Sequence, residues 1–282
     1  MGRKAEKMKL YTTDEATKDS AYKEALLSLL YQLADDDFIV AYRGSEWLGL
    51  APHIEEDVAF SSISQDTMGH ASMFYQLLED LGEGKMDHLA HARPANERYN
   101  AIILEEVNGP GTYLIEPRYD WAFAVVRHYF YTVAKKIRLD SLKNSSYEPL
   151  RHAAVKVNME LYYHQLHWKT WFIQLCLAND DAKTRMIAAT EKVLADFDGV
   201  LSFGSKKEEL QKSHIIEPEE ELRTRWLSHM KDIFEKAELD ATLLNNLKMQ
   251  SGNGRMQQHT ADLEDAIKTL GEVYNLDPAA NW

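Results

Sequence analysis

The chain has 282 residues, 45% of them hydrophobic, and a formal net charge of −13. Its one cysteine, Cys176, excludes an internal disulfide and any multi-cysteine zinc or iron–sulfur centre, and the acidic surplus argues against nucleic acid as a main partner. With only 13 Gly and 7 Pro, long helices are favoured over a many-stranded fold, and no apolar run reaches the roughly 18 residues of a membrane span.

Residues 1–19 are polar and charged and read as a flexible tail. They lack the apolar stretch of a secretory signal, so the cytoplasm is the expected compartment. From about Ser20 to Leu48 the spacing predicts one helix, with Asp35, Ile39, Tyr42 and Glu46 on one stripe. The segment Gly49–His53 breaks it, and Pro52 suits the first turn of a second helix reaching about Leu81. The inward face of that helix should be Ala59, Ile63, Asp66, His70, Phe74 and Leu77. Gly82–Gly84 ends it, and residues 85–117 read as a long, partly helical connection. A third helix is expected over about Tyr119–Lys143, its stripe Phe123, Val126, Phe130, Val133 and Ile137. A fourth covers about Tyr147–Leu177, its stripe Ala153, Val157, Glu160, His164, His167, Trp171 and Leu175. Further helices are expected over Asp181–Leu201, Glu217–Ala237 and Thr260–Tyr274. Residues 238–258 look irregular, and SGNGR (Ser251–Arg255) reads as a flexible loop, because no strand precedes it to make a phosphate cradle.

Two of these helices carry an acid and a histidine one turn apart on the face expected to be buried: Asp66 with His70, and Glu160 with His164. Such groups are costly to bury unless paired, protonated or bound to a metal. Carboxylate-bridged di-metal bundles gather them from four helices, with a long crossover between the second and third. The expected fold is therefore all-α: a ferritin-like four-helix bundle over residues 20–180, with a helical extension over 181–282 packed on it. The match to a di-metal site is partial. The first helix offers Asp35 and Glu46. The third has acids only near its ends, Asp120 and Asp140, and its centre reads as apolar or aromatic. An acid and a histidine at i, i+4 can also hydrogen-bond each other along one helix. Two readings remain: a metal-free polar network of Asp35, Glu46, Asp66, His70, Glu160 and His164, or iron held by the last five of these. His167, Trp171 and Cys176 read as core, and the aromatic runs YYHQLHWKTWF and RHYFYTV as core and interface packing.

The stretch from Gly44 to Gly84 resembles the N-terminal signature of the PaaC family of phenylacetate-degradation proteins. It has an EW-x-G-x-AP turn (Glu46, Trp47, Gly49, Ala51, Pro52) leading into a long helix with D-x-x-G (Asp66, Gly69), and an aspartate upstream at Asp35. RHYF (Arg127–Phe130), ELYYH (Glu160–His164), QHT-x-x-L (Gln258–Leu263) and Trp282 extend the likeness over most of the chain from about Leu26. His70, beside Gly69, departs from the family pattern and adds one ligand-type side chain. The resemblance implies a ferritin-like fold and membership of a multicomponent monooxygenase that epoxidises the ring of phenylacetyl-CoA. In that assembly the di-iron centre lies in a PaaA-like sister subunit, and a flavin and iron–sulfur reductase supplies electrons from NADPH. PaaC-like chains are its structural, catalytically silent subunits. The resemblance thus implies no cofactor in this chain, the other epoxidase components as partners and an oligomer, while charge and hydropathy speak against nucleic acid and membrane. Two rivals stand beside it: a ferritin-like di-metal oxidase or oxygenase active in its own right, and a free-standing helical binding module.

Overall fold

A computed structural model describes residues 9–280. Among these residues eleven α-helices follow one another: α1 (Thr13–Lys18), α2 (Ser20–Ser45), α3 (Ile54–Asp80), α4 (Met86–His91), α5 (Ile102–Glu105), α6 (Trp121–Leu142), α7 (Glu148–Ala178), α8 (Asp180–Leu201), α9 (Lys207–Lys212), α10 (Glu219–Lys236) and α11 (Ala261–Gly271). Among the described residues, extended pairing is limited to two isolated bridges. Asp19, Asp120 and Asn179 cap α2, α6 and α8 by accepting from the amides of Tyr22, Phe123 and Ala182, which have no partner inside the helix.

α2 and α3 form one helical hairpin and α6 and α7 the other; residues 81–120 cross between them. Helix α6 packs against α7 on one side and against α8 and α10 on another, so it is buried nearly all round from Ala122 to Lys135. Phe130 meets Phe172, Phe197, Trp226 and Phe234 at centroid separations of 5.6–6.2 Å. Each such ring contributes roughly 1.5–3 kcal/mol through burial. One apolar cluster thus draws on both the bundle and the later helices.

Three expectations are corrected. Of the supposed tail, residues 1–8 lie outside the described residues, as does Trp282, but Thr13–Lys18 is helical. Thr12 and Glu15 form a reciprocal capping box there, Ala16 is buried, and Tyr11 stacks on Tyr22 at 3.8 Å. In α7 the buried stripe is Leu150, Ala154, Val157, Leu161, His164, Trp168 and Phe172. The expected stripe is rotated from it, which leaves Glu160, His167 and Trp171 on its flank. Finally, the Ser251–Arg255 loop is pinned. Ser251 binds the Asp196 carboxylate with amide and hydroxyl, both at 2.7 Å. Gly254 lies so close to the crossover that a Cβ would meet the Asn100 carbonyl oxygen at 1.9 Å, a contact open to glycine alone.

Candidate functional site

Three consecutive aspartates, Asp35, Asp36 and Asp37, are buried in α2. Neighbours on a helix point about 100° apart, so each needs its own counter-ion, and each finds one on a different element. Asp35 accepts from Arg93, from Tyr75 Oη at 2.6 Å and from the Tyr99 amide at 2.9 Å; Arg98 lies at 3.4 Å. Burial alone would raise its pKa, but the two guanidiniums outweigh it and hold the carboxyl below its usual range. Asp36 takes a bidentate grip from Arg255, at 2.7 and 2.8 Å, and accepts the Ala101 amide. Asp37 faces the bundle centre. There it accepts from Tyr131 Oη at 2.6 Å and pairs with Lys135 Nζ at 2.8 Å.

Lys135, on α6, is 4% exposed. Its ammonium also donates to His70 Nδ1 at 2.8 Å, and His70 Nε2 reaches Glu160 at 2.6 Å. Beside this row, His164 Nε2 meets Asp66 at 2.9 Å, with the two imidazole centroids 6.1 Å apart. The acid–histidine pairs are therefore exchanged between helices. The expected i, i+4 bonds within α3 and within α7 are replaced by cross-links from α3 to α7 in both directions. The imidazoles are buried, whereas the side chains of Asp66 and Glu160 are 45% and 42% exposed. Burial, and next the Lys135 charge, hold His70 far below an ordinary histidine. A neutral His70 that accepts at Nδ1 carries its proton on Nε2 and donates it to Glu160. Burial also lowers His164 and raises Glu160, and the Asp66 charge is the next cause that raises Glu160. Burial raises Asp37 and lowers Lys135, each against the pull of its partner.

The six residues expected to form one network separate into three places. Asp66, His70, Glu160 and His164 meet at the bundle centre. Asp35 belongs to the Arg93–Arg98 cluster under the crossover. Glu46 binds Arg43 Nη1 at 3.1 and 3.2 Å and Asn108 Nδ2 at 2.8 Å. Asn108 also accepts Trp47 Nε1 at 3.0 Å and donates to the Arg43 carbonyl. The Glu46–Trp47 motif thus fastens the crossover to α2. Sequence reasoning missed Asp36, Asp37, Tyr131 and Lys135, and the apolar reading of the third helix's centre was wrong. The signals were a run of three acids and a polar stripe on α6: His128, Tyr131, Lys135 and Arg138, at i, i+3, i+7 and i+10.

The residues at this centre do not fit a di-metal ion pair. Both ring nitrogens of His70 are engaged, and an ammonium already stands against Asp37. Among the described residues no group of three or more His, Cys, Asp or Glu is arranged to hold a metal ion. The cavity against Lys135, His128, Trp168 and His164 measures about 10 Å³, room for about one water and far below the hundreds of Å³ of a substrate site.

Two helical hairpins joined by a long crossover and closed around an acid–histidine centre define an all-α, ferritin-like bundle. The chain belongs to the phenylacetic acid catabolic protein family, whose sequence profile matches residues 7–282, and that membership ties it to phenylacetate catabolism. It is 24% identical over 260 residues to the C component of the 1,2-phenylacetyl-CoA epoxidase of Escherichia coli (strain K12), a match covering 91% of this chain and 99% of that relative. No helix among the described residues is long and apolar enough to cross a membrane.

Proposed function

We propose that this chain is a structural, catalytically silent subunit of a multicomponent phenylacetyl-CoA epoxidase, and that it supports a PaaA-like sister subunit in which the di-iron centre lies. The observation that carries this reading is Lys135. A fixed ammonium at the centre pairs with Asp37 and donates to His70, groups of the kind an oxygenase would present to iron. The likeness to the Escherichia coli epoxidase component over nearly the full length of both chains agrees with it.

A supporting subunit needs a surface for its partner. On α7, Val155, Met159, Tyr162, Tyr163 and Leu166 recur at helical spacing and are all exposed. An apolar stripe of this kind, rimmed by the half-exposed Asp66 and Glu160, suits a helix–helix interface. We assign it to the sister subunit. The alternative of an independent di-metal oxidase would need the same centre to release its ammonium.

The test is co-expression with a PaaA-like di-iron subunit, followed by affinity capture and iron analysis of the separated chains. The reading expects a stable complex, iron in the partner alone, and loss of capture in Tyr163→Glu without loss of fold. Near two irons per isolated wild-type chain would overturn it.

A further inference from the structure

The small cavity at the bundle centre is lined by polar groups that the ion pairs around it do not use. Among the described residues, His128 Nε2, Trp168 Nε1 and Ser64 Oγ have no hydrogen-bond partner, although their residues are only 5%, 0% and 7% exposed. All three residues line the cavity of about 10 Å³, together with Val40 and Lys135. We propose that this cavity is the binding site of one ordered water molecule, held by His128, Trp168 and Ser64, which links α6, α7 and α3 next to the Lys135 ion pair.

The polarities select water. His128 Nδ1 lies 2.8 Å from the Ala124 carbonyl oxygen, which only accepts, so Nδ1 carries the proton. Burial, and next the Arg127 charge, bring His128 down to about 3, so the ring is neutral and its Nε2 is a bare acceptor. The Val40 carbonyl also bears on this ring, and two acceptors cannot bond each other. A molecule that donates twice reconciles them. Trp168 Nε1 can only donate, so the same molecule must also accept. A metal or ammonium cation offers the indole no acceptor. Ser64 Oγ can play either part, and Lys135 has three ammonium protons, of which Asp37 and His70 take two. Water has two donor and two acceptor positions, and about 10 Å³ is the lower bound of space for one molecule. Cavities that stay dry are lined by hydrocarbon. Here each polar atom left bare would carry its full desolvation penalty.

The test uses the full chain and needs no added ligand. A crystal structure at near-atomic resolution should show one density peak in the cavity, about 2.7–3.2 Å from both His128 Nε2 and Trp168 Nε1. An empty cavity, or a His128 ring turned so that Nε2 bonds a protein group directly, overturns the assignment. In solution, the Trp168 indole proton of isotope-labelled chain, assigned by its loss in Trp168→Phe, should give a nuclear Overhauser cross-peak to water with the sign of a long-lived contact. Ser64→Val puts a methyl group into the cavity in place of the hydroxyl, and should abolish that cross-peak while circular dichroism shows the fold retained. No cross-peak in wild type, or one that survives in folded Ser64→Val, overturns the assignment. If Ser64→Val does not fold, the two wild-type measurements decide by themselves.

Discussion

Replacing Lys135 by methionine isolates the energetics of the centre, because the two side chains have similar length and only one carries charge. Asp37 would keep the Tyr131 hydroxyl and lose its ammonium, and His70 Nδ1 would lose its donor. Removing one partner of a buried ion pair costs about 3–5 kcal/mol. A second route bounds the charge part. The folded chain can always escape a bare carboxylate by taking up a proton. From the ordinary aspartate value of 3.8, doing so at pH 7 costs about 1.36 kcal/mol per pH unit, or about 4.4 kcal/mol in all. The two figures agree, so Lys135→Met should lose about 3–5 kcal/mol at pH 7 in urea unfolding followed by circular dichroism. The sign of its pH dependence is also fixed. Asp37 in the variant binds a proton when folded and not when unfolded, so the gap to wild type narrows by about 1.4 kcal/mol per unit as pH falls from 7. The His128 contribution is common to both proteins and cancels in the difference, whereas His70 and His164, freed from the Lys135 charge, are held down less in the variant and narrow the gap in the same direction. Adding Asp37→Asn should recover most of the loss and flatten the pH dependence. A loss below about 1 kcal/mol, or a gap that widens on acidification, would refute the buried ion pair.

Wild-type stability should itself fall on acidification. Burial holds His70 and His164 below 6.5 and brings His128 down to about 3, so the unfolded chain takes up protons that the folded chain does not. Stability is complete above about pH 6.5 and declines below it by up to about 1.4 kcal/mol per unit per histidine; Glu160, raised by burial, acts oppositely nearer the carboxylate range. An unchanged or higher urea midpoint at pH 5.5 than at 7.5 would contradict this. Arg255→Ala strips the bidentate partner from Asp36 and leaves it Arg138 at 3.4 Å, so it should cost about 1–3 kcal/mol, with proteolysis beginning around Ser251; Arg255→Lys should recover only part, lacking the planar fork. Gly69→Ala adds a methyl with no heavy atom within 4 Å in the middle of α3, so thermal unfolding of the isolated chain should shift upward by the equivalent of about 0.8–1 kcal/mol.

What the sequence disclosed and what it hid have a common cause. Helix positions depend on local periodicity and punctuation, and the major boundaries fall within a few residues of those expected: α2 starts at Ser20, and α7 runs from Glu148 to Ala178. The meeting of Asp66, His70, Glu160 and His164 was equally legible, since an acid and an imidazole one turn apart must share a face. Partner choice was not. Whether His70 bonds Asp66 on its own helix or Glu160 across the bundle depends on how α3 and α7 sit against each other, and no spacing within either helix encodes that. Lys135 escaped for a related reason. On a half-buried helix the apolar stripe identifies the inward face, but α6 is enclosed by α7, α8, α10 and the α2 hairpin. With every side inward, the apolar residues mark no preferred direction, and the polar stripe from His128 to Arg138 becomes the informative one.

The same logic accounts for the three aspartates of α2. A helix that carried one buried acid could satisfy it from a neighbouring helix and leave the rest of the chain free to vary. Three in succession aim at three separate regions: the crossover through Arg93 and Arg98, the C-terminal loop through Arg255, and the bundle centre through Lys135. Each region is irregular in backbone or polar in content, so hydrophobic burial alone would leave its position poorly determined. A charge pair in a low-dielectric interior has one satisfactory geometry and a heavy penalty elsewhere. α2 thus sets the register of the molecule by electrostatics where packing cannot.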